Sequence, residues 1–313
     1  MDIYHRLEEI DKIHSSVLTI GTFDGIHCGH QEIILRTVSE AKKNNCSSIL
    51  ITFDPHPQHI LRSANHVKKE IITPIDKKIQ LVKELGVDIM ILLPFDLQMA
   101  SVSAEDFLKN VILDKFNPVK IIIGHDHHFG NNREGNDKFL LEKSKKYLFE
   151  LDVVPAVCDG NNTISSTAIR LAVKTRNLDL VRRYLGRDYE LTGIVIKGVG
   201  RGQKLNFPTA NLRIIDNTIL QPPVGVYCVQ VIIENKVFRG ACNIGFRPTF
   251  DDGLTHPVIE VNIFENSIEN LYGKIIKLKF LKFVRNEQKF ESSDQLVKQL
   301  IFDREFCLNL HDK

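Results

Sequence analysis

The chain is expected to fold as two units: an α/β unit on a parallel sheet, then a β unit that closes into a barrel and ends in a helix. Three observations lead there. The first half alternates short apolar runs with amphipathic segments, as a parallel sheet covered by helices requires. Beyond residue 186 come many short strand-like runs separated by turn residues, the pattern of a closed barrel. The length, 313 residues, fits two domains at a prior of about 150 residues each.

Taken in order, residues 17–20 form an apolar strand ending at Gly21. Residues 31–44 place Ile33, Ile34, Val38 and Ala41 on a helical stripe. Residues 49–53 are a β-rich run stopped by Pro55. Residues 74–85 read as a helix closed by Gly86 at C′. Residues 87–93 form a strand ended by Pro94, and 103–113 a helix with Ser103 as N-cap. Residues 119–123 are a buried strand stopped by Gly124, 136–148 a helix and 151–157 a strand. One long helix is expected over 166–185, ended by Gly186. The domain boundary falls at 184–189, giving units 1–185 and 186–313. Strands follow at 190–197, 224–234, 237–244, 257–264 and 274–284. The last alternates Ile276, Leu278 and Phe280 with outward Lys277 and Lys279, a half-buried strand. An amphipathic helix over about 292–310, capped by Ser292 or Ser293, closes the chain.

The composition is that of an ordinary globular protein, with 43% apolar and 26% charged residues. Lys plus Arg is 41 and Asp plus Glu 39, a net charge of +2, which argues against a polyanion-coating protein and so against nucleic acid as partner. Six cysteines are scattered without a C-x-x-C pair. Reduced thiols in a cytoplasmic protein are the simpler expectation, and a disulfide scaffold or zinc ribbon is not expected. The first nine residues carry charges and no apolar h-region, so no signal peptide is expected. Residues 89–93 are the longest strongly apolar stretch, far short of a bilayer span, so no membrane is expected either. The oligomeric state is not legible.

The most specific feature is residues 21–30, G-T-F-D-G-I-H-C-G-H, between the first strand and the first helix. Ligands of open α/β sheets bind at the carboxyl ends of strands, and helix N-termini favour phosphate. Gly21, Gly25 and Gly29 let backbone approach a ligand. His27 and His30, three apart, share one side of the first helical turn and could donate hydrogen bonds to phosphate oxygens. The same residues alone also suit a glycine-rich turn with capping histidines, or a chelating His pair.

Three further segments point the same way, and with them the pattern resembles the HxGH nucleotidyltransferase superfamily in its flavin-adenylylating branch. Residues 52–57, T-F-D-P-H-P, look like its flavin-side loop, which implies flavin contacts from Phe53, Pro55 and Pro57. Residues 124–130, G-H-D-H-H-F-G, resemble its G-x-D/N-F-x-F-G segment and carry over Asp126 and Phe129, while His127 stands where Phe is usual. Residues 164–170, I-S-S-T-A-I-R, resemble its I-S-S-T-x-I-R segment. Ser165, Ser166 and Thr167 at a helix start could cradle phosphate, and Arg170 supplies a forked cation suited to triphosphate. The resemblance implies a Rossmann-like fold, with Gly21, Phe23, Asp24, Gly25 and Gly29 at the ATP site and His27 and His30 catalytic.

The second constellation is residues 198–211, G-V-G-R-G-Q-K-L-N-F-P-T-A-N. It is not a Walker A loop, since Gly-Lys-Ser/Thr is absent, and no helix follows to suit a dinucleotide fingerprint. The F-P-T-A-N run resembles the riboflavin kinase family. Residues 240–250, 259–264, 271–273 and 284–290 resemble that family's later segments. The likeness thus covers nearly the whole chain, in the order of the bacterial bifunctional riboflavin kinase/FAD synthetase family. It implies a riboflavin-kinase-type barrel with ATP phosphates on Gly198, Gly200, Arg201, Gly202 and Lys204. Thr209 and Asn211 would hold Mg2+, Glu260 would be the general base, and Asn243, Arg247, Arg285 and Tyr272 would face the flavin. Asn206 departs from the family's Gly, and Asn tolerates left-handed angles. Glu260 itself lies in an apolar strand, where partial withdrawal from water raises proton affinity.

The implied substrates are riboflavin, FMN and ATP. A nucleotidyltransferase for another substrate would share H-x-G-H without needing the barrel. A flavin-sensing regulator would need a DNA-binding module, and none is legible.

Overall fold

The predicted strand–helix alternation of the first half is present, and its strands stop at the glycines and prolines that bound them. The computed structural model describes residues 1–61, 70–198, 207–246, 257–265 and 270–310. The chain divides into two units, Met1–Ser166 and Thr167–Lys313.

The first unit comprises β1 (Asp2–Tyr4), β2 (Ser16–Ile20), α1 (Cys28–Lys43), β3 (Ser47–Asp54), α2 (Pro57–Leu61), α3 (Ile75–Glu84), β4 (Ile89–Pro94), α4 (Leu97–Ser101), α5 (Ala104–Asp106), α6 (Asp114–Phe116), β5 (Pro118–Gly124), α7 (Asp137–Tyr147), β6 (Glu150–Val154) and the hairpin β7 (Cys158–Asp159) and β8 (Asn162–Thr163). The six long-sheet strands run in the order β1-β4-β3-β2-β5-β6, all parallel. Both faces are covered. Leu18, Ile20, Ile49, Ile51 and Ile121 pack with Phe107, Leu108, Ile112 and Phe116. Leu50, Met90 and Leu92 pack with Ile34 and Val38 of α1 and Val82 of α3. Double-sided burial explains why these strands read as continuous apolar runs. From β2 the chain moves outward through β3 and β4, then returns across to β5. The order therefore reverses beside β2, and the crevice outside the carboxyl end of β2 is the switch point where such sheets bind ligands.

Local signals hold in detail. Gly86 (φ 85) follows α3, and Ser103 Oγ accepts from the Asp106 amide at 3.0 Å. The helix begun there continues as a π-helical stretch, Phe107–Leu113, and α6, beyond the expected stop, until left-handed Asn117 (φ 40) ends it.

The second unit comprises α8 (Ser166–Lys174, starting at the unit boundary), α9 (Leu178–Leu185), β9 (Tyr189–Ile196), β10 (Ala210–Ile214), β11 (Gly225–Ile233), β12 (Lys236–Phe246), β13 (Pro257–Ile263), β14 (Ile275–Arg285) and α10 (Ser293–Leu308). The strands close a barrel in the order β10-β13-β12-β11-β14-β9. Every pairing is antiparallel. Fully buried Val229, Cys242, Val261, Ile276, Leu278 and Phe280 alternate with less buried neighbours, as the period of two requires.

Three expectations are corrected. The long helix is two helices, because Arg176 is left-handed (φ 60) and Asn177 caps α9 at the Leu180 amide. Arg176 stacks over the Phe283 ring at 4.9 Å and donates to the Val224 carbonyl at 3.0 Å, so packing within the second unit sets the break. Strand β10 (Ala210–Ile214) is absent from the expected strands, and it takes in the last two residues of the F-P-T-A-N run. The thiols are not all reduced: Cys228 on β11 and Cys307 on α10 form a disulfide, while Cys28, Cys46, Cys158 and Cys242 are in no disulfide. The bridge joins positions 79 residues apart, a pairing only the packing of α10 brings about.

Candidate active sites

The loop after β2 is held from below. Phe23 (φ 45), Gly25 (φ 96) and Ile26 (φ 40) all take left-handed angles, unusual for Phe and strained for β-branched Ile. Burial compensates, since Phe23 and Ile26 enter the apolar cluster of Ile34, Val38 and Leu50. Asp24 is buried, and its Oδ1 accepts from the amides of Ile72 (2.9 Å) and Thr73 (3.3 Å). Its carbonyl accepts from Ser166 Oγ at 2.7 Å, tying the I-S-S-T segment to the loop. The Thr22 carbonyl accepts from Lys78 Nζ at 2.8 Å and from Thr52 Oγ1 at 3.2 Å.

His27 is the N-cap of α1, and its Nδ1 accepts from the His30 amide at 3.3 Å. That bond leaves the proton of a neutral His27 on Nε2. The two imidazoles stack at 3.6 Å between centroids, 19° from parallel. A Cβ on Gly29 would lie 3.2 Å from the His27 ring, so the small residue there admits the stack. His30 Nδ1 is buried and has no hydrogen-bond partner among the described residues. Burial, then repulsion from His27 and Lys78, pushes the His30 pKa well below the ordinary range. His30 is thus a neutral imidazole that offers a dipole rather than a charge.

The remaining predicted residues of this unit divide. Gly21 lies against the Phe23 ring. Ser165 is half-buried and Thr167 exposed, while Arg170, one turn along α8, is buried. Phe53 is half-buried with its ring near Phe95 and Phe107, Pro55 is exposed, and Pro57 opens α2. Asp126 is exposed just beyond β5. Phe129 instead sits in the core, between Phe107 at 5.7 Å and Phe139 at 6.0 Å. Gly135 makes room for it, since a Cβ there would meet its ring at 2.5 Å.

Sequence reasoning passed over Lys78. It lies on the stripe of Ile75, Ile79 and Val82 and is only 6% exposed. A lysine at an apolar stripe position is the signal that could have found it.

In the barrel, pairing register assembles the second site. Asn211 of β10 lies opposite Glu260 of β13, which lies opposite Asn243 of β12. Asn243 faces Val226 of β11, and Val226 faces Arg285 of β14. One row across five strands therefore carries Asn211, Glu260, Asn243 and Arg285, though they are far apart in sequence. Glu260 is half-buried and Asn211 buried. The Asn211 amide lies over Gly198, where a Cβ would meet it at 2.0 Å. A second carboxylate, not anticipated, joins them: Glu287 Oε1 accepts from Asn243 Nδ2 at 3.1 Å and reaches over Gly245. Arg285 is held by Asp303 of α10, and Tyr272 is exposed. Gly200, Arg201, Gly202, Lys204, Asn206 and Arg247 lie outside the described residues.

Thr209 and Asn211, two apart at the start of β10, offer neutral hydroxyl and amide oxygens. Such donors fit a hard divalent cation whose remaining ligands are phosphate and water. Among the described residues no cluster of three or more His, Cys, Asp or Glu is placed to hold a metal ion.

A stacked histidine pair at a helix N-terminus, at the switch point of a parallel sheet, and a carboxylate–amide row on a small barrel define a two-domain nucleotide-dependent transferase. The family model described as FAD synthetase matches residues 9–168, and that described as riboflavin kinase matches residues 185–311. The chain belongs to the bifunctional riboflavin kinase/FMN adenylyltransferase family. The relative of that name from Buchnera aphidicola of Schizaphis graminum is 36% identical, covering 97% of each chain. That from Escherichia coli K12 is 32% identical over 96% of this chain and 93% of its own. A crystal structure described as a macrolide-efflux protein from Streptococcus pneumoniae superposes with a TM-score of 0.89 at 32% identity, covering 99% of each chain. Among the described residues no helix is long and apolar enough to cross a membrane.

Proposed function

We infer that the chain carries both steps of its family. The C-terminal unit transfers the γ-phosphoryl group of ATP to riboflavin, giving FMN and ADP. The N-terminal unit joins FMN to the AMP moiety of ATP, giving FAD and pyrophosphate. The observation that carries this reading is the pairing of the two sites: His27 and His30 at the N-terminus of α1, and Glu260 between Asn211 and Asn243.

In the adenylyl step a phosphate oxygen of FMN attacks the α-phosphorus of ATP and the bond to pyrophosphate breaks. No covalent nucleophile is needed, so the protein's part is positioning and charge stabilisation. Backbone amides at the start of α1 and His27 Nε2–H would donate to phosphate oxygens. Ser165, Ser166, Thr167 and Arg170 would hold the triphosphate, and Phe53, Pro55, Pro57 and Asp126 would face the flavin. The functional parts on this reading would be 1–185 and 186–313.

In the kinase step Glu260 would take the proton of the ribityl 5′-hydroxyl as its oxygen attacks the γ-phosphorus. Asn243, Arg247 and Arg285 would position the flavin. Gly198, Gly200, Arg201, Gly202 and Lys204 would follow the ATP phosphates. Thr209 and Asn211 would hold Mg2+, which when bound neutralises phosphate charge. Dependence on ATP supports a cytoplasmic setting, and the Cys228–Cys307 bridge is the observation that stands against it.

The test is incubation with riboflavin, ATP and Mg2+, followed by chromatography of the flavins. Wild type should yield FMN and then FAD. Glu260→Gln should lower FMN formation roughly a hundredfold or more while FAD still forms from supplied FMN. His30→Ala should leave FMN to accumulate. Full kinase activity without Glu260, or unchanged FAD output without His30, sinks the respective assignment.

A further inference from the structure

A buried ammonium sits where an apolar side chain is expected. Removing a cation from water is expensive unless partners compensate. Lys78 lies on the covered stripe of α3, and its Nζ donates to the Thr22 carbonyl at 2.8 Å. Burial lowers its pKa from the ordinary lysine value, against the opposing pull of two carboxylates, Asp24 of the loop and Asp54 at the end of β3. Thr22 is the second residue of the loop that carries Asp24 and leads into His27. A lysine kept in the core by a loop carbonyl and two carboxylates is a costly way to fill space.

We propose that Lys78 is a positioning residue for the adenylyl-transfer reaction: it anchors the Thr22 carbonyl and so fixes the strained loop that delivers His27 to the start of α1. The inference rests on the adenylyl-transfer reading of this unit. Burial keeps His30 neutral, and repulsion from His27 at its own helix end and from Lys78 of α3 adds to it. A neutral His30 keeps a ring N–H that can donate to a phosphate oxygen.

The experiment uses the full chain, which carries its own internal control. FAD formation from supplied FMN and ATP is measured against pH, beside riboflavin phosphorylation by the same preparation. Lys78→Met keeps the bulk and removes the charge. Its kcat for FAD formation should fall about a hundredfold, with KM for FMN changed less than threefold. Loss of the cation should also move the acid limb of the pH profile upward, because His30 protonates more readily. Lys78→Arg should restore at least a tenfold share of the lost rate. The kinase rate should stay within twofold of wild type. Lys78→Gln retains a donor toward Thr22, so it should keep more of the FAD rate than a variant without one while its acid limb still moves; if the methionine variant fails to fold, Lys78→Leu is judged on the same two readouts. A folded variant that makes FAD within threefold of the wild-type rate, with an unshifted acid limb, overturns the proposal. Wild-type protein that makes FMN but no FAD overturns the underlying reading instead.

Discussion

Arg285 and Asp303 meet in a forked ion pair: Arg285 Nε donates to Asp303 Oδ1 at 3.0 Å, and Nη2 to Oδ2 at 2.8 Å. Asp303 is 1% exposed, and it also accepts from Gln299 Nε2 at 2.8 Å. The pair fastens α10 to the end of β14, where the polar row of the barrel terminates. Two parallel bonds fix the guanidinium plane as well as its place. Asp303→Asn would leave a largely buried cation opposite a neutral amide. Uncompensated buried charge costs about 3 kcal/mol or more, so the melting temperature should fall. Riboflavin phosphorylation should drop at least tenfold if Arg285 positions the flavin, while FAD formation from supplied FMN stays near wild type. Equal loss of both activities would point to global unfolding.

One turn beyond Asp303, Cys307 bonds to Cys228 of β11. The closed loop spans 79 residues, for which chain-entropy reasoning gives a stabilisation of about 4.5 kcal/mol. Cys307→Ser should therefore lower the stability of the second unit by a few kcal/mol. A dithiol reductant should do the same to wild type and nothing to the variant. Both effects are read by thermal melts of matched samples.

The burial of Phe129 predicts that Gly135 is a packing position. A Cβ at Gly135 would sit 2.5 Å from the Phe129 ring, beneath a core that includes Phe107 and Phe139. Gly135→Ala should destabilise the first unit by about 1–3 kcal/mol through overpacking. Phe129→Leu should likewise act on stability more than on KM for FMN. A large KM change without a stability change would return Phe129 to the ligand wall.

What the sequence displays and what it hides follow from the range of the forces involved. The strands of the parallel sheet were legible because both faces are buried and Gly21, Pro55, Pro94 and Gly124 punctuate them. The helix caps Ser103 and Gly86 were legible because capping is local. The break at Arg176 was not, since no Gly or Pro marks it and the left-handed turn rests on Phe283 and Val224, more than forty residues away. Residue types at the second site could be matched to a family pattern. Their alignment as Asn211, Glu260, Asn243 and Arg285 exists only once barrel closure sets the register. Lys78 was hidden because a lysine in an amphipathic helix is ordinarily solvated.

His127 yields a prediction that depends on pH. Its Nε2 is buried without a hydrogen-bond partner among the described residues, and its ring lies 5.7 Å from that of Phe129, 28° from parallel. Burial, then repulsion from His128, lowers its pKa from the ordinary 6.5 to about 4, against the opposing pull of Asp126. The folded protein thus resists a proton that the unfolded chain accepts below 6.5. Stability from this group is complete above that pH and declines as the pH falls, reaching its full loss near pH 4. The loss amounts to roughly 3 kcal/mol at about 1.4 kcal/mol per pH unit. His127→Phe cannot take up the proton, so its stability should be less dependent on pH across the same window. Chemical denaturation of both proteins at pH steps from 7.5 to about 4 measures the difference. Parallel curves would show that His127 is hydrated and titrates alike in both states. Converging curves above pH 6 with divergence below it would show a neutral, desolvated imidazole in the folded protein.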